Sequence, residues 1–137
     1  MDTNTNIKGI VTELKCKLYF LELGYTVSTP EYPVRYDFIL DTGKQLLKIQ
    51  VKTSQFDGEK ITFSTCSSHY VKGKLTHTDY KLDNIDYFCT WWNDECYLVP
   101  VSECGKYEKS LRILPTKNGQ VRGISFAKDY IAKEVID

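Results

Sequence analysis

Residues 34–53 read VRYDFILDTGKQLLKIQVKT, and this stretch decides the architecture. Apolar and polar side chains alternate on both sides of Asp41-Thr42-Gly43-Lys44, a turn composition between two antiparallel strands. On the first strand Val34, Tyr36, Phe38 and Leu40 share one face, with Arg35, Asp37 and Ile39 on the other. The returning strand, Leu46 to Thr53, sets Leu47, Ile49 and Val51 against Lys48, Gln50 and Lys52. Two registers are open. With Thr42 and Gly43 as the turn, Asp37 lies opposite Lys48 and diagonal to Gln50, roughly 7–8 Å away or less. With the loop centred one residue later, Asp37 faces Gln50. Either brings Asp37, Gln50 and Lys52 toward one patch of sheet.

Upstream, Ile7, Ile10, Val11, Leu14, Leu18 and Leu21 recur at helical spacing. They predict a helix over about residues 7–23, with Asn6 as N-cap, Gly24 as stop and the apolar stripe toward the core. Glu13 sits roughly 120° from the centre of that stripe, at about 100° per residue. Tyr25 to Thr29 reads as a short strand ended by Pro30. Downstream, Lys60 to Ser64 reads as a strand, and the polar run Thr65 to Asn84 as loop-rich. Asp86 to Trp92 and Cys96 to Val101 read as two strands about Asn93-Asp94, which points Trp91 and Trp92 to opposite faces. Leu111 to Leu114 reads as strand, and Ser125 with Phe126, Tyr130 and Ile131 as a short terminal helix.

The 137 residues are 42% hydrophobic and 26% charged, which fits one ordered domain spanning 1–137 and excludes a disordered chain. No apolar run is long enough for a membrane span, and the first twenty residues lack the pattern of an export signal. A cytoplasmic protein is expected. Cys16, Cys66, Cys89, Cys96 and Cys104 are then reduced thiols. Cys66-Ser-Ser-His69 has the spacing of a zinc half-site, but Cys89 and Cys96 lie too far apart in sequence to complete it. No phosphate-cradling glycine motif occurs, so no nucleotide cofactor is expected.

The net charge of zero conceals a strong pattern. Residues 1–43, 44–81, 82–105 and 106–137 carry −2, +4, −5 and +3. Such blocks permit a basic face on a neutral molecule. Lys44, Lys48, Lys72, Lys74, Lys81, Lys117 and Arg122 are the expected phosphate contacts, whereas His69 and His77 read as surface residues.

An aspartate, and an oxygen donor two residues before a lysine on the next strand, meet the needs of metal-assisted phosphodiester cleavage. Hard oxygens hold the cation, and an ammonium stands by the phosphate. The intervening residue, Val51, offers only its backbone carbonyl. An exposed ion pair of no catalytic consequence has the same spacing.

The run Gly24-Tyr25-Thr26-Val27, then Pro33, Tyr36-Asp37-Phe38-Ile39 and Ile49-Gln50-Val51-Lys52-Thr53, resembles the PD-(D/E)xK nuclease superfamily. Within it the chain most resembles the group I intron-associated homing-endonuclease branch, which is similar in having Gln at the second acidic position. Asp86-Tyr87-Phe88, Tyr97 to Val101, Leu111-Arg112, Asn118-Gly119-Gln120 and Phe126 to Tyr130 look like later landmarks of that branch, in order along nearly the whole chain. The resemblance implies a restriction-endonuclease-like α/β fold, a mixed central sheet flanked by helices. It implies a Mg²⁺-dependent endonuclease, with Mn²⁺ able to substitute, that cuts double-stranded DNA as a homodimer or homotetramer. Asp37 would be the principal metal ligand, with Gln50, the Val51 carbonyl and the helix carboxylate Glu13 beside it, and Lys52 the catalytic lysine. Two departures stand out. Tyr36 replaces the signature proline, which binds nothing. Gln50 replaces a carboxylate, and a neutral amide oxygen is a weaker Mg²⁺ ligand. A junction resolvase and a DNA-binding protein that has lost catalysis are the alternatives on the same core.

Overall fold

The turn at residues 41–45 closes through its own side chains. Asp41 Oδ1 accepts the Gly43 N–H at 2.8 Å, and Thr42 Oγ1 accepts those of Lys44 and Gln45. Gly43 takes a left-handed φ of 87°, which a side chain would resist. The computed structural model describes residues 3–71, 74–79 and 84–137, with side chains for 5–66 and 84–137. Lys72 and Lys81 lie outside the described residues, as do the side chains of Lys74, His69 and His77.

Strands β2 (Phe38–Asp41) and β3 (Leu46–Val51) leave this turn antiparallel, with Phe38 opposite Ile49 and Leu40 opposite Leu47. That is the second of the two registers, and it sets Asp37 one step outside the ladder, beside Gln50. The strand expected from Val34 starts only at Phe38, because Pro30 and Pro33 lack amide hydrogens and residues 35–37 bend. Strand β1 (Thr26–Ser28) pairs antiparallel with β2. On the far side β8 (Tyr87–Trp92) runs parallel to β3, and β9 (Glu95–Pro100) returns antiparallel. The β8–β9 turn is made by Asn93 and Asp94, both left-handed at φ 50° and 62°. The result is a mixed five-stranded sheet in the order β1-β2-β3-β8-β9.

Helix α1 (Thr3–Glu22) covers one face of that sheet and begins before the expected cap at Asn6. It ends at Gly24, left-handed at φ 91°, whose N–H returns to the Leu21 carbonyl. Its orientation overturns the sequence expectation. Cys16 and Phe20 are fully buried, packed on Phe38, Leu40, Ile49 and Leu98, whereas Ile7, Ile10, Val11, Leu14, Leu18 and Leu21 are 41–59% exposed. The sheet supplies the bulk of this core, so the helix meets it through the smaller Thr12 and Cys16 and one aromatic. Helix α2 (Ala132–Val135) joins the same layer, and the Lys133 N–H donates to Tyr19 Oη at 3.2 Å. The expected terminal helix is thus a single turn of 3-10 helix (Ala127–Tyr130) followed by α2.

The other face is covered by a second sheet in which β5 (Lys60–Ser64) lies between β10 (Glu108–Arg112) and β4 (Gln55–Phe56). Ile61, Phe63 and Leu111 pack there on Phe88, Tyr97 and Val99. Alternation along β8 and β9 thereby feeds two cores at once. Trp91 packs with the α1 side and Trp92 with the other, its ring 4.6 Å from that of Phe56. Residues expected to be loop instead form a two-stranded ribbon, β6 (Cys66–Val71) with β7 (Lys74–Asp79). Polar composition masked the strand-favouring Tyr70, Val71, Thr76 and Thr78. Cys89 and Cys96, judged too distant, meet across the β8–β9 turn with their sulfurs 3.3 Å apart. Cys16 joins them, all three sulfurs lying within 4.8 Å of one another. Burial holds the thiols of Cys89 and Cys96 well above the ordinary thiol range, so they pack as protonated core groups. Among the described residues, no helix is long and apolar enough to cross a membrane.

Candidate active site

The site forms where β2 begins and β3 ends. Because the ladder stops at Phe38, the Val51 N–H has no backbone partner on β2, and the Asp37 side chain takes that place. Val51 donates to Asp37 Oδ2 at 2.7 Å, while the Asp37 N–H donates to the Ile49 carbonyl at 2.8 Å. The aspartate is therefore held at both ends. Among the described residues its Oδ1 receives no protein hydrogen bond.

Burial is the main influence on this carboxyl group and lifts its proton affinity above the usual aspartate range. The Val51 hydrogen bond opposes that rise, Glu13 adds to it by like charge, and Lys52 and Lys17 oppose it. These influences also place the residues. Glu13 and Asp37 line one cleft of about 380 Å³, walled by Thr29, Pro30, Pro33 and Tyr36. Lys17 ties that wall together, pairing with Glu13 Oε2 at 2.8 Å and donating to Thr29 Oγ1 at 3.0 Å. Lys17 was missed in sequence, although its place one turn after Glu13 on a helix was a legible signal.

Lys52 follows the last residue of β3, and its N–H still pairs with the Cys89 carbonyl at 2.9 Å. Its Nζ donates to the Cys66 carbonyl, at the root of the ribbon, at 3.3 Å. Burial lowers the affinity of the amine for its proton, and Asp37 counters this. Arg35 lies near enough to act in the same direction as burial. Gln50 is half-buried on the Asp37–Lys52 side of β3, whereas Val51 packs into the core on the α1 side. Two further contacts fix these elements. Thr12 Oγ1 and Thr53 Oγ1 lie 3.2 Å apart and join α1 to the segment beside Lys52. Asp86 takes the Lys48 N–H on its carboxylate and returns its own N–H to the Lys48 carbonyl, locking β3 to the start of β8.

The structure thus brings Glu13, Asp37, Gln50, Val51 and Lys52 to one end of the central sheet. The lysines expected at phosphates are more dispersed. Lys48 is half-buried, its Nζ 6.0 Å from the Tyr36 ring centre. Lys44 is exposed at the opposite end of the β2–β3 hairpin. Lys117 and Arg122 are on the exposed segment after β10, where Lys117 pairs with Glu59 at 3.6 Å. A cavity of about 550 Å³ between β9, β10 and residues 115–131 contains none of the candidate catalytic residues.

Comparison with known proteins adds to this geometry. A family model described as PD-(D/E)XK endonuclease matches residues 3–133. Among solved structures the chain is similar to the bacterial homing endonuclease I-Ssp6803I, with a TM-score of 0.78 at 19% identity. That match covers 96% of this chain and 91% of the other. At that identity the likeness is one of fold. A comparison with curated proteins finds no match.

Proposed function

The chain belongs to the PD-(D/E)XK endonuclease family, and from that premise we propose that it hydrolyses phosphodiester bonds in duplex DNA, with Mg²⁺ as its cofactor. The observation that carries this reading is the placement of Asp37 and Lys52 near enough for each charge to act on the other. A half-buried carboxylate and a half-buried ammonium sit on one side of one sheet end, each altering the proton affinity of the other. A casual surface ion pair is solvated and leaves both groups near their ordinary values.

The donor set fits a hard divalent cation. Asp37 Oδ1, the Glu13 carboxylate, the Gln50 amide oxygen and the Val51 carbonyl would hold it, and Mn²⁺ would substitute. Bound there, the ion would polarise the phosphate and favour ionisation of a water. The chain's own residues do the rest. The Val51 N–H fixes the rotation of Asp37, so its second oxygen is presented rather than searching. Lys52 brings positive charge to the phosphate as it gains negative charge, in a setting less screened than open water. Lys17, paired with Glu13, holds that carboxylate at the wall of the cleft. Lys44, Lys48, Lys117 and Arg122, with Lys72, Lys74 and Lys81, are the proposed contacts to the DNA backbone. One chain provides one such site, so cutting both strands calls for a homodimer or homotetramer.

Supercoiled plasmid and a four-way junction, each incubated with Mg²⁺ or with EDTA, test the proposal. The wild-type protein is expected to cut plasmid only with the metal. Lys52→Ala should lower the rate by roughly 10²–10³, the scale of losing one group that stabilises transition-state charge. Preference for the junction would make the protein a resolvase. DNA binding without cleavage in either Mg²⁺ or Mn²⁺ would make it a non-catalytic relative.

A further inference from the structure

We propose that Cys16, Cys89 and Cys96 form a closed three-sulfur site that takes one Cu⁺ ion between α1 and the β8–β9 hairpin. The inference concerns the core under α1 and does not rest on the nuclease reading. Cys89 and Cys96 stand diagonally across the hairpin, since Cys89 opposes Leu98 and Cys96 opposes Trp91. Both belong to the core on the α1 side, and Cys16 meets them from the helix. The sulfurs of Cys89 and Cys96 are 3.3 Å apart, and all three sulfurs lie within 4.8 Å of one another. Three sulfurs held around one ion at about 2.3 Å each would stand about 4.0 Å apart. The cluster already brackets that separation, so an ion enters with sulfur shifts of less than about 1 Å. One buried thiol is ordinary core filling. Three that converge from three elements onto one point are a donor set.

The donors and their burial select the ion. Every donor is sulfur, which disfavours hard cations such as Mg²⁺ and Ca²⁺. Zn²⁺ closes structural sites with four ligands, and among the described residues no fourth Cys, His, Asp or Glu joins the group. Cu⁺ is soft, favours sulfur and is satisfied by three donors without a water. That matters here, because all three cysteines are 0% exposed. The Cys16 sulfur is hydrogen-bonded by the other two thiols, which hold its proton affinity below the ordinary thiol range although burial opposes this. A cation among the three sulfurs would stabilise the same anionic form. Charge agrees as well. One Cu⁺ exchanged for one thiol proton leaves the core's net charge unchanged, whereas a divalent ion adds a charge or requires a second buried thiol to ionise. Since none of the three residues reaches solvent, the ion enters as the chain folds, and its binding adds to the stability of the fold.

Refolding the full chain without oxygen, with Cu⁺ supplied as its acetonitrile complex, tests this without reference to cleavage. After washing with the Cu⁺ chelator bicinchoninate, native mass spectrometry should find one copper per chain. X-ray absorption at the copper edge should show three sulfurs at about 2.3 Å and no oxygen or nitrogen ligand. The melting temperature should rise by at least about 5 °C. Cys16→Ala, Cys89→Ala and Cys96→Ala should each lose the retained copper, whereas Cys104→Ala, which removes a thiol outside the cluster, should keep it. If the alanine variants fail to fold, the absorption spectrum of the wild type decides. A wild type that retains no copper overturns the proposal, as does copper with oxygen or nitrogen ligands, or a folded Cys16→Ala chain that keeps its copper. Refolding with Zn²⁺ instead should leave no bound metal after washing with EDTA. One zinc retained per chain, lost with Cys16→Ala, would overturn the selection of a monovalent ion.

Discussion

The surroundings of Asp37 favour its protonated form more than water does. Burial raises its proton affinity in the folded chain above that of the unfolded chain, and Glu13 raises it further. Between those two values the folded form holds the extra proton, so stability falls as pH rises through the window starting near the ordinary aspartate value of about 3.9. Above the window the charged carboxylate is a standing cost, which a cation bound there would relieve. Asp37→Asn keeps an oxygen for the Val51 N–H and removes that charge. Thermal melts should therefore place it at or above wild type at pH 7, with the gap closing below pH about 3.9. Mg²⁺ should raise the melting temperature of wild type only. Gln50 gives a second expectation at this scale. With an amide there, two carboxylates alone offset a divalent charge, so the metal should bind weakly to free protein and more tightly when duplex supplies a phosphate. Calorimetric titration with and without DNA measures the difference. Gln50→Glu should tighten binding to the free protein at least about tenfold. Tight binding by the unaltered free protein would contradict this account of the amide.

At the scale of elements, α1 shows what a helical period does and does not reveal. The spacing of its aliphatic residues gave the helix and nearly its limits. It could not say which of two unlike faces meets the sheet. Hydrophobicity favoured the stripe, but the pocket offered by Phe38, Leu40 and Leu98 is already filled with bulk and accepts Thr12, Cys16 and Phe20. Stability measurements should expose this reversal. Phe20→Ala should cost about 3–5 kcal/mol, whereas Leu14→Ala, usually a core-scale loss, should stay within about 0.5 kcal/mol. The β2–β3 hairpin was more legible. Alternation and the Thr42-Gly43 turn put Asp37, Gln50 and Lys52 on one side before any coordinates. The register remained open between two choices, since a loop of two residues and one centred a residue later satisfy the same pattern. Glu13 was found through resemblance. Arg35 and the Cys66 carbonyl entered the site by contacts between distant segments, which no local period records.

For the whole molecule, the central sheet is shared property. Cys89 and Leu98 belong to the core under α1, while Phe88 and Val99 belong to the core beneath β5 and β10. Neither layer keeps its inner wall if β8 and β9 separate. We therefore expect the chain to unfold as one unit, with a single denaturant transition that coincides for tryptophan fluorescence and circular dichroism. Two resolved transitions would show that the layers are independent. The sequence could indicate both cores through alternation in β8 and β9, but not the ribbon, whose strands are polar in composition and so leave a weak hydrophobic signal.

The parallel pairing of β3 with β8 has a kinetic consequence. Both flanking hairpins close over short turns, on the microsecond scale of local structure. Gln50 reaches Phe88 only after everything from Lys52 to Asp86 has been looped back. That long closure loses entropy before any contact rewards it, which makes it the natural bottleneck of folding. A chain emerging during synthesis would therefore hold the Asp37 hairpin early, and complete the Lys52 environment only once β8 and β9 have been made.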